Sequence, residues 1–323
     1  MTVTDSAARR PEEAARGPRP VRTSRSGRSG RSRLRSRVGY FLGFGAPGLL
    51  FYTCFVLAPL LLSLGYSLTN ANAFQSQTRF VGLRNFYRLF QDPDFLMELR
   101  VTTILTLIIV IVPNLGGLGV AVLLNRSGRL YRILRSVFFV PVVLSSVVVS
   151  VVWQAMLTDG GLLDTALRSL GVHHPPGWLS DPSIALYSVA GIASWQLLGF
   201  CSVVYLAGLQ GVPDELIEAA GLDGAGPWAR FRHVTWPMLA PALTINTVML
   251  LITGFKTYDF VQVITAGGPG TGTTATVAFG IIQTGFTDND TGMASTMAVV
   301  MLVIVAVVSS VVLRLLHRRE VEL

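Results

Sequence analysis

Few side chains in this 323-residue chain have the types and spacing to do chemistry, and they do not converge. The two cysteines, Cys54 and Cys201, sit in apolar runs with no base beside them to make a thiolate. Neither reads as a nucleophile, and a structural disulfide between them is not expected. His173-His174 is a pair that could begin a metal site, but such a site needs further ligands and no fitting set accompanies it. Solvated loop histidines, and no metal, are the expectation. The run 265–272, Thr-Ala-Gly-Gly-Pro-Gly-Thr-Gly, has the look of a phosphate loop. A Walker loop ends in Gly-Lys, and the single lysine, Lys256, follows a phenylalanine. No catalytic residue, nucleotide loop or cofactor is therefore expected. What remains is polar chemistry in apolar surroundings, Asn246, Thr253, Lys256, Thr257, Tyr258 and Asp259, together with one long polar stretch, 211–241.

The elements that carry these groups are membrane spans. Hydrophobic residues make up 51% and charged residues 14%, too apolar for a soluble domain, and apolar runs near twenty residues recur. The pattern predicts an all-α, polytopic helical membrane protein with six transmembrane helices at 40–68, 101–124, 137–157, 184–209, 242–264 and 293–316. Residues 1–39 form a basic tail with eleven Arg, rich also in Ser, Gly and Pro, which cannot build a core and should be disordered. Outside residues 1–37 the chain is balanced, so its formal charge of +8 is a property of the tail. The Arg-Ser run has the charge to meet nucleic acid or anionic lipid. Placed directly before the first span it reads as a topology anchor, with no nucleic-acid partner. The organisation expected is this tail, then 40–100 as the first span plus an external amphipathic segment, a core at 101–316, and a short tail at 317–323.

The 242–264 span is the most polar. Polar groups in hydrocarbon are costly unless they face protein or water, so this helix is expected to line a translocation path. Lys256 and Asp259 stand at i,i+3, where they could pair, and a snorkelling interfacial pair is as reasonable there as a solute contact. Thr253, Thr257 and Tyr258 could give a solute hydroxyl partners on this path, with Trp153 and Trp195 as aromatic candidates; the alternative is that the Trp residues belong to the interfacial belt and the Thr hydroxyls bond backbone carbonyls.

The polar stretch 211–241 has its own helix grammar. Pro213, Asp214 and Glu215 supply a start; Leu216, Ile217 and Ala220 form a narrow apolar stripe; Gly221 is the expected stop. Asp223-Gly224-Ala225-Gly226 is a turn. Pro227 opens a second helix with Trp228, Phe231, Val234 and Trp236, and Pro237 and Pro241 break the way into the next span. Within it, Glu218-Ala219-Ala220-Gly221, Asp223-Gly224-Ala225, Phe231 and Pro237 resemble the EAA loop of the permease subunits of binding-protein-dependent ABC importers. The Gly-Gly-Pro run at 267–269 is similar to an external loop of the carbohydrate, maltose-type branch.

The resemblance covers about residues 40–316 and implies the transmembrane fold of type I ABC importers. It implies that the loop docks on a homodimeric ATPase subunit, that a second homologous permease completes the path, and that an external solute-binding protein delivers a sugar or oligosaccharide. It implies no enzyme activity, ATP hydrolysis belonging to the partner chain. Charge supports the orientation independently. With six spans, twenty of the 26 Lys and Arg fall on one side, which places both termini and the 211–241 loop in the cytoplasm of a bacterial cell. The alternative from another class is an ion-coupled carrier without an ATPase. It would want intramembrane acids, which only Asp259 approaches, and internal repeats, which are not found.

Overall fold

The computed structural model describes residues 43, 45–72, 74, 77–270 and 272–318. The basic tail 1–39 and most of 317–323 lie outside the described residues. Contacts divide the chain between Pro59 and Leu60. In the first unit the described residues are Gly43, Gly45 and the opening of helix α1 (Ala46–Ser67), which is π-helical at Thr53–Leu57.

The larger unit holds the end of α1 and all other helices. The carbonyls of Ser67, the last residue of α1, and of Thr69 just beyond it accept from Asn85 Nδ2, at 3.0 and 2.8 Å, on the short α2 (Arg84–Leu89). The external segment expected to be one amphipathic helix is thus α2 plus the first turns of α3 (Pro93–Leu124). Asp92 caps α3 by accepting from the Asp94 amide at 3.0 Å, and Pro93 takes the first helical position. Its 32 residues span about 48 Å, more than the ~30 Å hydrocarbon core. α7 (Ala185–Gln210) and α13 (Thr291–His317) are also continuous. At the approach to α7, Asp181 accepts hydrogen bonds from the Ser183 hydroxyl and then its amide, which hold its carboxyl below the usual carboxylate value.

Close approach of α3, α7 and their neighbours rests on small residues. A Cβ on Gly117 of α3 would stand 2.6 Å from Cys201 Cβ of α7, and one on Gly199 would overlap the Phe138 carbonyl. Tyr205 of α7 donates to Asn114 Oδ1 of α3 at 2.7 Å, a buried polar tie beside Pro113. Leu105, Ile109, Val189, Ala193 and Leu250 fill the core around it.

Two expected spans are not single helices. The third begins earlier, in the presumed loop 125–136, as α4 (Arg129–Val143). It stops after Pro141 at Leu144, whose ψ of 145° is extended, and resumes as α5 (Ser146–Leu157). The segment after it, read as loop, contains α6 (Leu162–Ser169). The fifth is α10 (Ala240–Phe255), a break at 256–258, and α11 (Asp259–Ile264). α12 (Val277–Thr287) is short and apolar. Five helical stretches among the described residues are long and apolar enough to cross a membrane. There are six when α9 (Pro227–Met238) and α10, bent by 60°, count as one.

Candidate functional site

The segment 211–241 folds as a helical hairpin. Asp214 and Glu215 sit in the first turn of α8 (Asp214–Leu222), where they complement the positive helix end. The helix does not stop at Gly221. It runs to Leu222 because the left-handed residue is Gly224, φ +81°. The Ala225 amide returns to the Ala220 carbonyl at 2.9 Å and the Gly224 amide to Gly221 at 3.1 Å, a Schellman cap with glycine at its left-handed position. Gly221 instead lets the Arg230 guanidinium lie close, 3.5 Å from where its Cβ would be.

Pro227 begins α9, which passes through a π-helical stretch at Phe231–Thr235. Phe231 lies between Trp228 and Trp236, with ring centroids 5.8 and 6.3 Å away. Glu218, Ala219, Asp223 and Gly224 are exposed, whereas Ala220, Gly221, Ala225, Phe231 and Pro237 are half-buried and shape the hairpin. Two large apolar residues at the tip, absent from the expected set, face outward: Leu222 is 91% and Trp228 71% exposed. Their type at the helix ends around a turn was the available signal.

A second candidate lies at the two helix breaks. They meet across a cavity of about 530 Å³ lined by Ser146, Gln196, Thr253, Lys256, Thr257, Tyr258 and Asp259, with apolar walls from Val142, Leu197, Met249, Ile252 and Phe260. One carbonyl at each break has a side-chain donor from another helix or loop. Gln196 Nε2 reaches the Leu144 carbonyl at 2.8 Å, and Thr276 Oγ1 reaches that of Thr257 at 2.8 Å. Lys256 and Asp259 do not pair, because the helix on which they would be i,i+3 neighbours ends between them. Asp259 Oδ2 accepts from Ser146 Oγ at 2.6 Å instead, joining α11 to α5. Gln196 and Ser146 were missed because nothing in their local pattern marks a break that a distant residue completes.

The other path candidates lie elsewhere. Trp153 and Trp195 meet edge to face at 5.5 Å on a separate, apolar cavity of about 430 Å³ shared with Trp178 and Tyr187. Asn246 is fully buried, its Nδ2 3.4 Å from the Cys201 carbonyl, away from both cavities. Among the described residues of the glycine run, Gly267 is tied to the residues that follow it, its carbonyl accepting from the Thr274 amide at 3.0 Å. It borders a third cavity of about 370 Å³ with Asp94, Glu98 and Gln283.

Residues 113–321, which contain both candidates, match the family described as binding-protein-dependent transport system inner membrane component. The chain belongs to this family. The permease is 32% identical over 290 residues to the probable starch degradation products transport system permease protein of Thermoanaerobacterium thermosulfurigenes, covering 90% of this chain and 98% of that one. It is 31% identical to the diacetylchitobiose uptake system permease protein of Streptomyces coelicolor, covering 97% and 90%. Among solved structures it is similar to a bacterial ABC transporter involved in the import of the acidic polysaccharide alginate. That match has 20% identity, covers 88% of this chain and 99% of that one, and has a TM-score of 0.75. The fold is that of an ABC importer transmembrane subunit. The permease is a transport subunit of the bacterial plasma membrane and not an enzyme.

Proposed function

We propose that the permease forms half of the path of an ATP-driven importer for a sugar or oligosaccharide, and that its 211–241 hairpin docks on a homodimeric ATPase. The observation that carries this is the tip of the hairpin. Leu222 and Trp228 are held outward by a glycine-closed turn, next to the exposed carboxylate of Glu218. Exposed large apolar side chains rimmed by polar residues mark protein-interaction surfaces, and Trp is among the residues that anchor them. A second homologous permease supplies the other half of the path, and an external solute-binding protein delivers the solute. Both termini and the hairpin are cytoplasmic in this reading, which the distribution of Arg supports.

Thr253 and Tyr258, on the cavity at the helix breaks, offer hydroxyls to a sugar; Thr257, whose hydroxyl already donates to the Thr253 carbonyl at 3.0 Å, is left as an acceptor, and Gln196, Lys256 and Asp259 add an amide and two charges. Trp153 and Trp195 give aromatic faces on the neighbouring cavity. Asn246 acts on the path through the position of α10, which it ties to α7. Relatives named for starch products and diacetylchitobiose support a carbohydrate.

ATP closes the ATPase dimer, the docked hairpins move with it, and the spans open outward to receive solute. The solute shifts that equilibrium only through unequal affinity for the two states. The test is mild-detergent capture from native membranes with mass spectrometry. An ATPase and a second permease should accompany the native chain, and Glu218→Lys should lose the ATPase while inserting normally. A chain captured without any ATPase, under conditions that preserve other ABC complexes, would overturn the reading.

A further inference from the structure

We propose that Arg230 is the positioning residue that makes the hairpin a stiff lever, so that motion of a docked ATPase reaches the spans instead of being absorbed in the turn; this rests on the docking reading above. Arg230 lies in the first turn of α9, and helical side chains lean toward the N-terminus of their own helix. That lean carries its guanidinium back across the turn. There Nε donates to the Ala225 carbonyl at 2.7 Å, and the guanidinium covers the face of Gly221 in α8. The Arg230 amide donates to the Gly226 carbonyl at 3.0 Å. One residue thus touches the end of α8, the turn and the start of α9.

The backbone cap at Gly224 determines where α8 ends, but it leaves the direction of α9 open. Among the described residues the Arg230 bond is the only side-chain hydrogen bond from α9 into the turn. A planar guanidinium is suited to this, since its donors have fixed directions and a charged donor makes the stronger bond. Arg230 is half-buried, while Leu222, Asp223, Gly224 and Trp228 around it are exposed. It therefore braces the hairpin from within and leaves the docking face free.

The experiment uses the complete complex in native membranes. Cys54 and Cys201 are replaced by Ser and Ala, and Thr253→Cys places one thiol on the cavity at the helix breaks. The readout is the ratio of labelling rates by a membrane-impermeant maleimide with and without ATP and vanadate, alongside the amount of ATPase captured. Arg230→Ala should retain ATPase capture and weaken the nucleotide response about tenfold, the weight of one charge-assisted hydrogen bond. Arg230→Lys, which keeps a charged donor, should recover most of the response. An unchanged response in Arg230→Ala would overturn the proposal. So would response and capture falling together in proportion, the mark of a merely structural role. Leu222→Glu separates the two readings. If it leaves ATPase capture intact, or if the parent complex shows no nucleotide response, docking itself fails. If it abolishes capture while Arg230→Ala responds normally, only the role of Arg230 falls.

Discussion

Gly224→Ala isolates the contribution of the turn to docking. Gly224 has φ +81°, and a Cβ placed on it meets nothing within 4 Å. Alanine therefore brings no clash, only the backbone cost of the left-handed region, about 1–2 kcal/mol. The turn is exposed, so that cost should open the Schellman cap locally and leave the bundle intact. An ATPase that binds the closed hairpin then loses about 5- to 30-fold in affinity. Asparagine enters the left-handed region more readily and should lose less, and valine, being β-branched, should lose more. The assay is a titration of the purified ATPase against the solubilised permease complex, with the thermal midpoint of each variant as a control. The expected order of affinity is Gly, Asn, Ala, Val at nearly constant midpoint. If alanine binds as tightly as glycine, closure at Gly224 is not what presents Leu222 and Trp228. If all variants lose stability together, the turn belongs to the folding core and the argument fails.

Three other perturbations probe the bundle and the path. Tyr205→Phe leaves Asn114 Oδ1 without its hydroxyl donor in the buried α3–α7 contact, and should destabilise the solubilised permease by about 1–3 kcal/mol; an unchanged thermal midpoint would refute that tie. Gly117→Val forces a side chain against Cys201 and should cost about 1–3 kcal/mol or more through overpacking, read as lost folded yield; normal yield would mean that α3 and α7 can separate freely. Thr253→Val removes a hydroxyl from the cavity and should raise the KM for uptake about fivefold with ATPase capture unchanged. An unaltered KM would place the solute elsewhere, with the aromatic cavity at Trp153 and Trp195 the next to test.

Some elements were legible because their cause is local. The apolar runs 101–124 and 293–316 lie within α3 and α13, and 184–209 matches α7 to within one residue, since a hydrophobic stretch long enough for the bilayer must close its backbone bonds within itself. The hairpin was legible for the same reason. Proline at a helix start, acids in a first turn and glycine in a turn act over a few residues. Even there the stop was misplaced by one position, because both Gly221 and Gly224 could end α8. The choice fell to Gly224, which takes the left-handed conformation, while Gly221 stays helical with the Arg230 guanidinium, nine residues on, against its face.

The amino-acid sequence by itself determined that this is a polytopic helical membrane protein with a structured polar hairpin, because composition, apolar run length and short-range caps are properties of neighbouring residues; its resemblance to importer permeases rested on the residues of that hairpin. Only the tertiary structure decided that two of the spans are broken, that the breaks share a cavity, and that Asp259 bonds Ser146 rather than Lys256. Breaking a helix in an apolar setting exposes carbonyls that must be satisfied. Here the donors come from far along the chain, Gln196 for Leu144 and Thr276 for Thr257. No local pattern encodes a partner that distant, so the cavity's shape depends on packing that brings those donors to the breaks.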